Sequence, residues 1–299
     1  MERLWFYLKY AWRFAVLRQP VPLIYGVAIT DRCNLSCAGC RVSNTGRPDM
    51  THDALVQTLR SAWERGFREV YFTGGEPTLW CDGEHTFLDA IEAARSIGFY
   101  HVHLYTNGLQ GLDWPVDLVW VSMDGLLGTF ASRRGDHFDE VERAVRAGAH
   151  SKVAVIYTVD RHTESGIESF LRWVRDSELP VLGVMFYFHT PYYGVDELFL
   201  DREERRPVIG RIRQCIREGL PVLNSHAGLT ALDTGRWKRR TAAAVVADVD
   251  GESVCCRASD EACVECGYAA CTEIVEAQRL RPSAVLAICL LYTSDAADE

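Results

Sequence analysis

The segment CNLSCAGC carries three cysteines, Cys33, Cys37 and Cys40, separated by three and then two residues. Thiolates at that spacing in one loop can hold an iron–sulfur cluster, and a set of three leaves one iron of a cubane open to a further ligand. Zinc is the alternative, because it also takes tetrahedral thiolate sets once a distant fourth ligand joins. Further along, TGGEP at residues 73–77 places Gly74 and Gly75 where a backbone can come close to a ligand, followed by Glu76 and Pro77. YTNG (105–108) and VSMDG (121–125) add Thr106, Asn107, Ser122 and Asp124, although Asn-Gly and Asp-Gly are also ordinary turn dipeptides. A second group, Cys255, Cys256, Cys263, Cys266 and Cys271, contains a Cys-x-x-Cys pair, and four thiolates make a closed iron–sulfur or zinc site.

Such turns need a scaffold that gathers them at one end. From residue 21 the chain alternates short β-rich runs with helical patterns, the signature of βα units around a parallel sheet. The runs predict strands over 23–29, 69–73, 101–105, 118–122, 153–158 and 181–187. Thr51 caps a predicted helix with Leu55, Leu59, Ala62 and Trp63 on one face and Gly66 at its end. Phe87, Ile91 and Ala94 mark the next, stopped by Gly98; Phe138, Val141 and Val145 mark a third before Gly148; Ile167, Phe170, Leu171 and Val174 mark a fourth. Six strands fall short of a closed eight-stranded barrel. The expected fold is therefore α/β, a partial (β/α)6 TIM-like barrel with a small cysteine-rich C-terminal extension. In parallel α/β folds ligand groups collect at the strands' C-terminal ends, which is where these turns fall.

The expected organisation is a basic aromatic helix over 1–20, the barrel over 21–200, a charged helix beyond Asp201 opening the extension over 201–287, and a tail over 288–299. The tail, with the string CLLYTSDAADE, resembles translated sequencing-adapter read-through, so Cys289 is expected to ligate nothing.

With 299 residues, 48% hydrophobic and 24% charged, and a mean hydropathy of −0.08, the composition is that of a globular protein. A formal charge of −9 argues against broad attraction to nucleic acid and leaves a peptide or small-molecule substrate as the expectation. Eleven cysteines, clustered in a chain with no evident secretory signal, point to metal binding and a cytoplasmic location. Residues 2–18 mix Leu4, Trp5, Phe6, Leu8, Trp12, Phe14 and Leu17 with Arg3, Lys9, Arg13 and Arg18. Such a helix either lies peripherally at a membrane interface or packs on the domain.

Taken in order, the cysteine loop after the first strand and the GGE turn after the second resemble the radical S-adenosylmethionine (SAM) superfamily. The resemblance implies a 4Fe–4S cluster on Cys33, Cys37 and Cys40 whose open iron chelates the amino and carboxylate groups of SAM. It implies that the TGGEP turn contacts the methionyl amino group, making Gly74, Gly75, Glu76 and Pro77, with Asn107 and Ser122, the expected cofactor contacts. The implied reaction is reductive cleavage of SAM to methionine and a 5'-deoxyadenosyl radical that abstracts a substrate hydrogen, fed by an electron donor such as flavodoxin or ferredoxin. Gly39 departs from the family pattern, which has an aromatic residue before the last cysteine, so adenine packing is expected from elsewhere. Arg134 is placed similarly to an arginine of peptide-modifying members.

The C-terminal segment resembles the auxiliary-cluster (SPASM/twitch-like) extensions of peptide maturases. Cys256, Cys263, Cys266 and Cys271 are the implied ligands of a second iron–sulfur cluster, with Cys255 as alternate. Trp237 is followed by Lys238, Arg239 and Arg240 where those extensions often carry a cysteine, which favours one auxiliary cluster over two. This extension favours a peptide substrate, the aromatic helix favours a lipid or small molecule, and a non-catalytic zinc-binding module is the remaining alternative.

Overall fold

A computed structural model gives the architecture and describes residues 2–17, 19, 21–148, 152–192, 194–256 and 260–293. Six strands follow one another in parallel: β1 (Ile24–Thr30), β2 (Glu69–Gly74), β3 (His101–Thr106), β4 (Leu118–Ser122), β5 (Lys152–Val159) and β6 (Val184–Phe188). Each lies beside its predecessor, as right-handed βα crossovers dictate. Buried on both faces, they are rich in Val, Ile and aromatic residues, and β6 is buried at every position. The order matches that read from the sequence, with limits shifted by at most three residues.

The crossover helices form where the apolar period placed them. Thr51 Oγ1 accepts the Ala54 N–H to cap α2 (His52–Glu64), which buries Leu55, Leu59 and Ala62. The next helix, α3 (Phe87–Ile97), ends at Gly98 in the left-handed conformation. A short helix absent from the sequence reading, α4 (Leu127–Arg134), precedes α5 (Phe138–Ala147); α6 (Ile167–Asp176) buries Ile167, Phe170, Leu171 and Val174.

The C-terminal part is more ordered than its weak periodicity suggested. Asp201 caps α7 (Arg202–Arg217) with a reciprocal box to Glu204, and Ser225 caps α8 (His226–Thr234). Then β7 (Ala244–Asp248) adds itself in parallel to the free edge of β1, and β8 (Gly251–Val254) returns antiparallel beside it. The sheet thus has eight strands, ordered β8-β7-β1-β2-β3-β4-β5-β6. A short helix, α9 (Asp260–Val264), leads to α10 (Ala269–Gln278) against α8, and α11 (Pro282–Thr293) runs into the segment set aside above, whose residues 294–299 lie outside the described residues.

Between α8 and α10, Glu273 is buried, and its Oε1 accepts the Ser225 N–H while Oε2 has no hydrogen-bond partner among the described residues. Burial pushes its carboxyl up to about 7, despite the Ser225 hydrogen bonds that favour the charged form. A raised folded-state value means that the folded protein keeps a proton which the unfolded chain releases near pH 4.5. Its stabilising contribution is full below that pH and is lost as pH rises towards 7, by about 3 kcal/mol. Glu273→Gln keeps the acceptor without the charge, so the variant is expected to gain on the parent between pH 5 and 8. Urea midpoints measured across that range test this, and parallel curves would refute it.

The N-terminal helix α1 (Glu2–Ala15) packs at the other end of the barrel from the turns. Tyr7 donates to Glu69 at the first residue of β2, Phe6 meets Tyr100 edge-on just before β3, and Gln278 donates to the Tyr10 hydroxyl. Among the described residues no helix is long and apolar enough to cross a membrane.

Candidate active site

At the C-terminal ends of the strands lies a cavity of about 320 Å³ bordered by Cys33, Cys37, Cys40, Gly74, Gly75, Asn107 and Ser122. The β1–α2 loop delivers the three cysteines, and a donor stands beside each sulfur. Leu35 N–H lies 3.4 Å and the Asn107 amide 3.8 Å from Cys33 Sγ; Arg134 Nη1 lies 3.8 Å from Cys37 Sγ; the Ser43 hydroxyl lies 3.3 Å from Cys40 Sγ. Burial raises the Cys33 thiol, the Leu35 N–H acts against it, and Glu76, Cys37 and Cys40 raise it further.

The GGE turn serves this loop in a way the sequence did not show. Gly74 has φ +141°, and a Cβ there would stand 2.2 Å from the Thr30 carbonyl oxygen; one on Gly75 would stand 2.2 Å from that of Arg32. The glycines therefore let the turn press against the start of the cysteine loop, with Gly75 N–H donating to Thr30 and Glu76 N–H to Arg32. Glu76 and Pro77, expected as cofactor contacts, do not border the cavity. The Glu76 carboxylate is fully buried and turned inward by the Thr78 N–H and hydroxyl, the Thr106 hydroxyl and the Asn107 N–H. It holds the end of β3 so that the Asn107 side chain meets Asn34 and Cys33. Asp124 is likewise not among the residues bordering the cavity.

Asp124 instead organises the helix that sequence reasoning missed. It is fully buried, accepts the Thr158 N–H at 2.6 Å, and pairs with Arg133 Nε at 2.9 Å and Arg134 Nε at 2.7 Å. Arg133 also pairs with Asp160. Burial alone would raise the Asp124 carboxyl; Arg134 and Arg133 outweigh it and hold it below its ordinary value. The end of α4 then reaches the cysteine loop twice, through the Arg133 carbonyl to Ala38 N–H at 2.8 Å and through Arg134 to Cys37. Beside Cys40, Gly39 has φ +74°, and the space a side chain would take there is filled by Leu198, with His189 adjacent. His189 borders the cavity, its Nε2 held 3.0 Å from Asp196, and no sequence signal had singled it out.

The sequence pattern of the Radical SAM superfamily matches residues 27–174, from within β1 to within α6. The chain belongs to this superfamily. It is 32% identical over 194 residues to a probable GTP 3',8-cyclase of Methanothermobacter marburgensis, covering 58% of this chain and 62% of that protein. It is 26% identical over 169 residues to the sporulation killing factor maturation protein SkfB of Bacillus subtilis, covering 49% and 40%. The chain thus spans less than two-thirds of the length of these curated relatives. Its fold is similar to native anSMEcpe with bound AdoMet and Cp18Cys peptide, with a TM-score of 0.60, 17% identity, and coverage of 88% of this chain and 81% of that one.

Radical SAM proteins use a 4Fe–4S cluster and SAM, and the donor set here suits the cluster: three thiols around one cavity, each with a neighbouring hydrogen-bond donor, and no fourth cysteine in their loop. Among the described residues no three His, Cys, Asp or Glu side chains converge as ligands of a single metal ion would.

The cavity is also bordered by Tyr71, Tyr105, Tyr187, Tyr192, Tyr268 and Cys256. Burial holds the Tyr71, Tyr105 and Tyr192 hydroxyls well above their ordinary titration range, so they remain neutral phenols. Cys256 is the only member of the C-terminal cysteine group among the described lining residues. Behind it, Cys255 and Cys271 place their sulfurs 2.8 Å apart and are buried with Cys266 against Trp237 and Val275. Burial, reinforced by Cys256 and Cys263, pushes the Cys266 thiol up to about 11, while the Tyr268 N–H bonds its sulfur. Cys255, Cys266 and Cys271 thus pack in one buried cluster, and Cys256 and Cys263 lie close enough to act on the Cys266 thiol.

Proposed function

We propose that this radical SAM enzyme modifies a peptide, and that Cys256, Cys263, Cys266 and Cys271, with Cys255 as alternate, hold a second iron–sulfur cluster next to the substrate. The observation that carries this reading is the one cavity bordered by Cys33, Cys37 and Cys40 and also by Cys256 and several neutral tyrosines. When bound on the first three thiols, the cluster and SAM supply the radical that takes a hydrogen atom from the substrate. The residues of the chain bind, orient and exclude water. Asn107, Ser122 and the Gly74–Gly75 backbone border the place for SAM.

The phenols suit an uncharged amide chain, to which they can donate hydrogen bonds while stacking on its side chains. A triphosphate would need several uncommitted cations. Of the three arginines among the described lining residues, Arg133 and Arg134 are already engaged by Asp124 and Asp160, which leaves Arg41. Similar proteins fit a peptide in part: SkfB is a maturation protein and anSMEcpe was solved with a peptide.

The test uses anaerobically reconstituted protein, dithionite and SAM, with peptide, lipid and small-molecule fractions from the native host grown in deuterated medium. Deuterium is expected in 5'-deoxyadenosine with the peptide fraction. Transfer from the lipid or small-molecule fraction alone would overturn the substrate assignment, and absence of 5'-deoxyadenosine under every condition would overturn the reaction.

A further inference from the structure

The docked face of α1 leaves its other face open. Phe6, Tyr7 and Tyr10 point into the barrel end, whereas Trp5, Leu8, Trp12 and Val16 are 61%, 54%, 59% and 54% exposed. At 100° per residue these four fall within one stripe on the far side of the helix, and Leu17, 49% exposed, follows directly. Docking thus accounts for Phe6, Tyr7 and Tyr10 and leaves large aromatic surface in water, which globular proteins seldom do in a contiguous patch.

Charge identifies what covers it. The chain carries a formal −9, yet from Arg3 to Thr30 it has Arg3, Lys9, Arg13 and Arg18 and no acidic residue. Lys9 lies within the stripe with its Nζ 5.7 Å from the Trp5 ring centroid, and Lys9 and Arg13 are exposed beside Trp5 and Trp12. Tryptophans with flanking cations on an exposed helix face match the headgroup region of an anionic bilayer, where the indole body is buried and the cations meet lipid phosphates. We propose that α1 is a membrane-docking surface for anionic lipid, and that it holds the catalytic cavity on the side of the molecule facing away from the bilayer.

The orientation follows from the sheet. Tyr7 meets Glu69 at the start of β2, while Gly74 at the end of the same strand borders the cavity. A strand of this length separates the two ends by roughly 17 Å. Membrane contact through α1 therefore does not carry the cavity to the lipid, and the aromatic helix ceases to be an argument for a lipid substrate. The inference does not depend on the proposed peptide chemistry.

Co-sedimentation with vesicles tests it, comparing phosphatidylglycerol with phosphatidylcholine at about 1:2 against phosphatidylcholine alone. The full chain is expected to bind the anionic vesicles and to be released by high salt. Trp5→Ser/Leu8→Ser/Trp12→Ser is expected to bind at least about tenfold less with an unchanged melting temperature, since these side chains do not support the fold. On vesicles, Cys40 of the apo-protein should react with a membrane-impermeant maleimide as fast as in solution, read by peptide mass spectrometry. The proposal is overturned if the full chain ignores anionic vesicles, if the triple variant binds as well as the parent, or if the stripe proves to be a contact between two copies, seen as a lipid-free dimer that the variant abolishes. Slowed labelling of Cys40 on vesicles would overturn the orientation.

Discussion

Replacing Cys33, Cys37 and Cys40 together by Ala abolishes 5'-deoxyadenosine formation after dithionite reduction, by at least about a hundredfold, because no other thiol of that loop can take over the open-iron cluster. The second expected result concerns iron. If the C-terminal cysteines hold a cluster of their own, anaerobic reconstitution of the triple variant leaves about four irons per chain where the parent takes about eight. The two readouts separate the two assignments. Undiminished 5'-deoxyadenosine would refute the role of the first three cysteines, whereas loss of all iron would leave that role intact and remove the second cluster. Sulfurs bordering one cavity, each with a donor beside it, make the first result the firmer consequence of the geometry.

Asp124→Ala is expected to be the most destabilising single change near the site. The carboxylate is inaccessible, and its removal leaves the Arg134 guanidinium without its counter-charge and Arg133 with Asp160 alone. Breaking a buried pair from one side costs about 3–5 kcal/mol. The damage should reach the cluster, because α4 anchors Ala38 and Cys37, so iron retention falls with stability. Asp124→Asn retains an acceptor for the Thr158 N–H and should lose less. Since the folded-state carboxyl sits below its ordinary value, the contribution is present at neutral pH and is lost as pH falls through that depressed value. Urea unfolding of the apo-proteins and iron per chain after reconstitution measure both effects. A variant with the parent's urea midpoint would show that the network carries little of the fold.

Much of this arrangement was legible because it depends on local periodicity. The strands and the helices carrying Leu55, Phe87, Phe138 and Phe170 announce themselves through apolar spacing, and the cysteine triad through residue type alone. α4 escaped because LGTFASRR holds Gly128, Thr129 and Ser132, weak helix formers, and buries only Phe130. The inward turn of Glu76 was illegible for another reason. A carboxylate after two glycines reads as a ligand contact until its donors, Thr106 and Asn107 from a different strand, are seen around it. The tyrosine lining is spread over β2, β3, β6 and the C-terminal part, so no window of sequence contains it. Likewise the hydrophobic face of α1 revealed that it was there, but not which half was already spoken for.

The pairing of β7 with β1 bears on how the protein is made. Ile24 lies against Ala244, 220 residues later in the chain. During synthesis the six barrel strands can assemble while the outer edge of β1, the strand that launches the cysteine loop, still has its backbone groups unpaired. That edge closes only once Ala244–Asp248 has left the ribosome. A nascent or truncated chain ending before Ala244 would thus display an open apolar strand edge, an invitation to association with other chains. The same delay means that Cys256 and Tyr268, which border the cavity, join it after the loop that carries Cys33, Cys37 and Cys40.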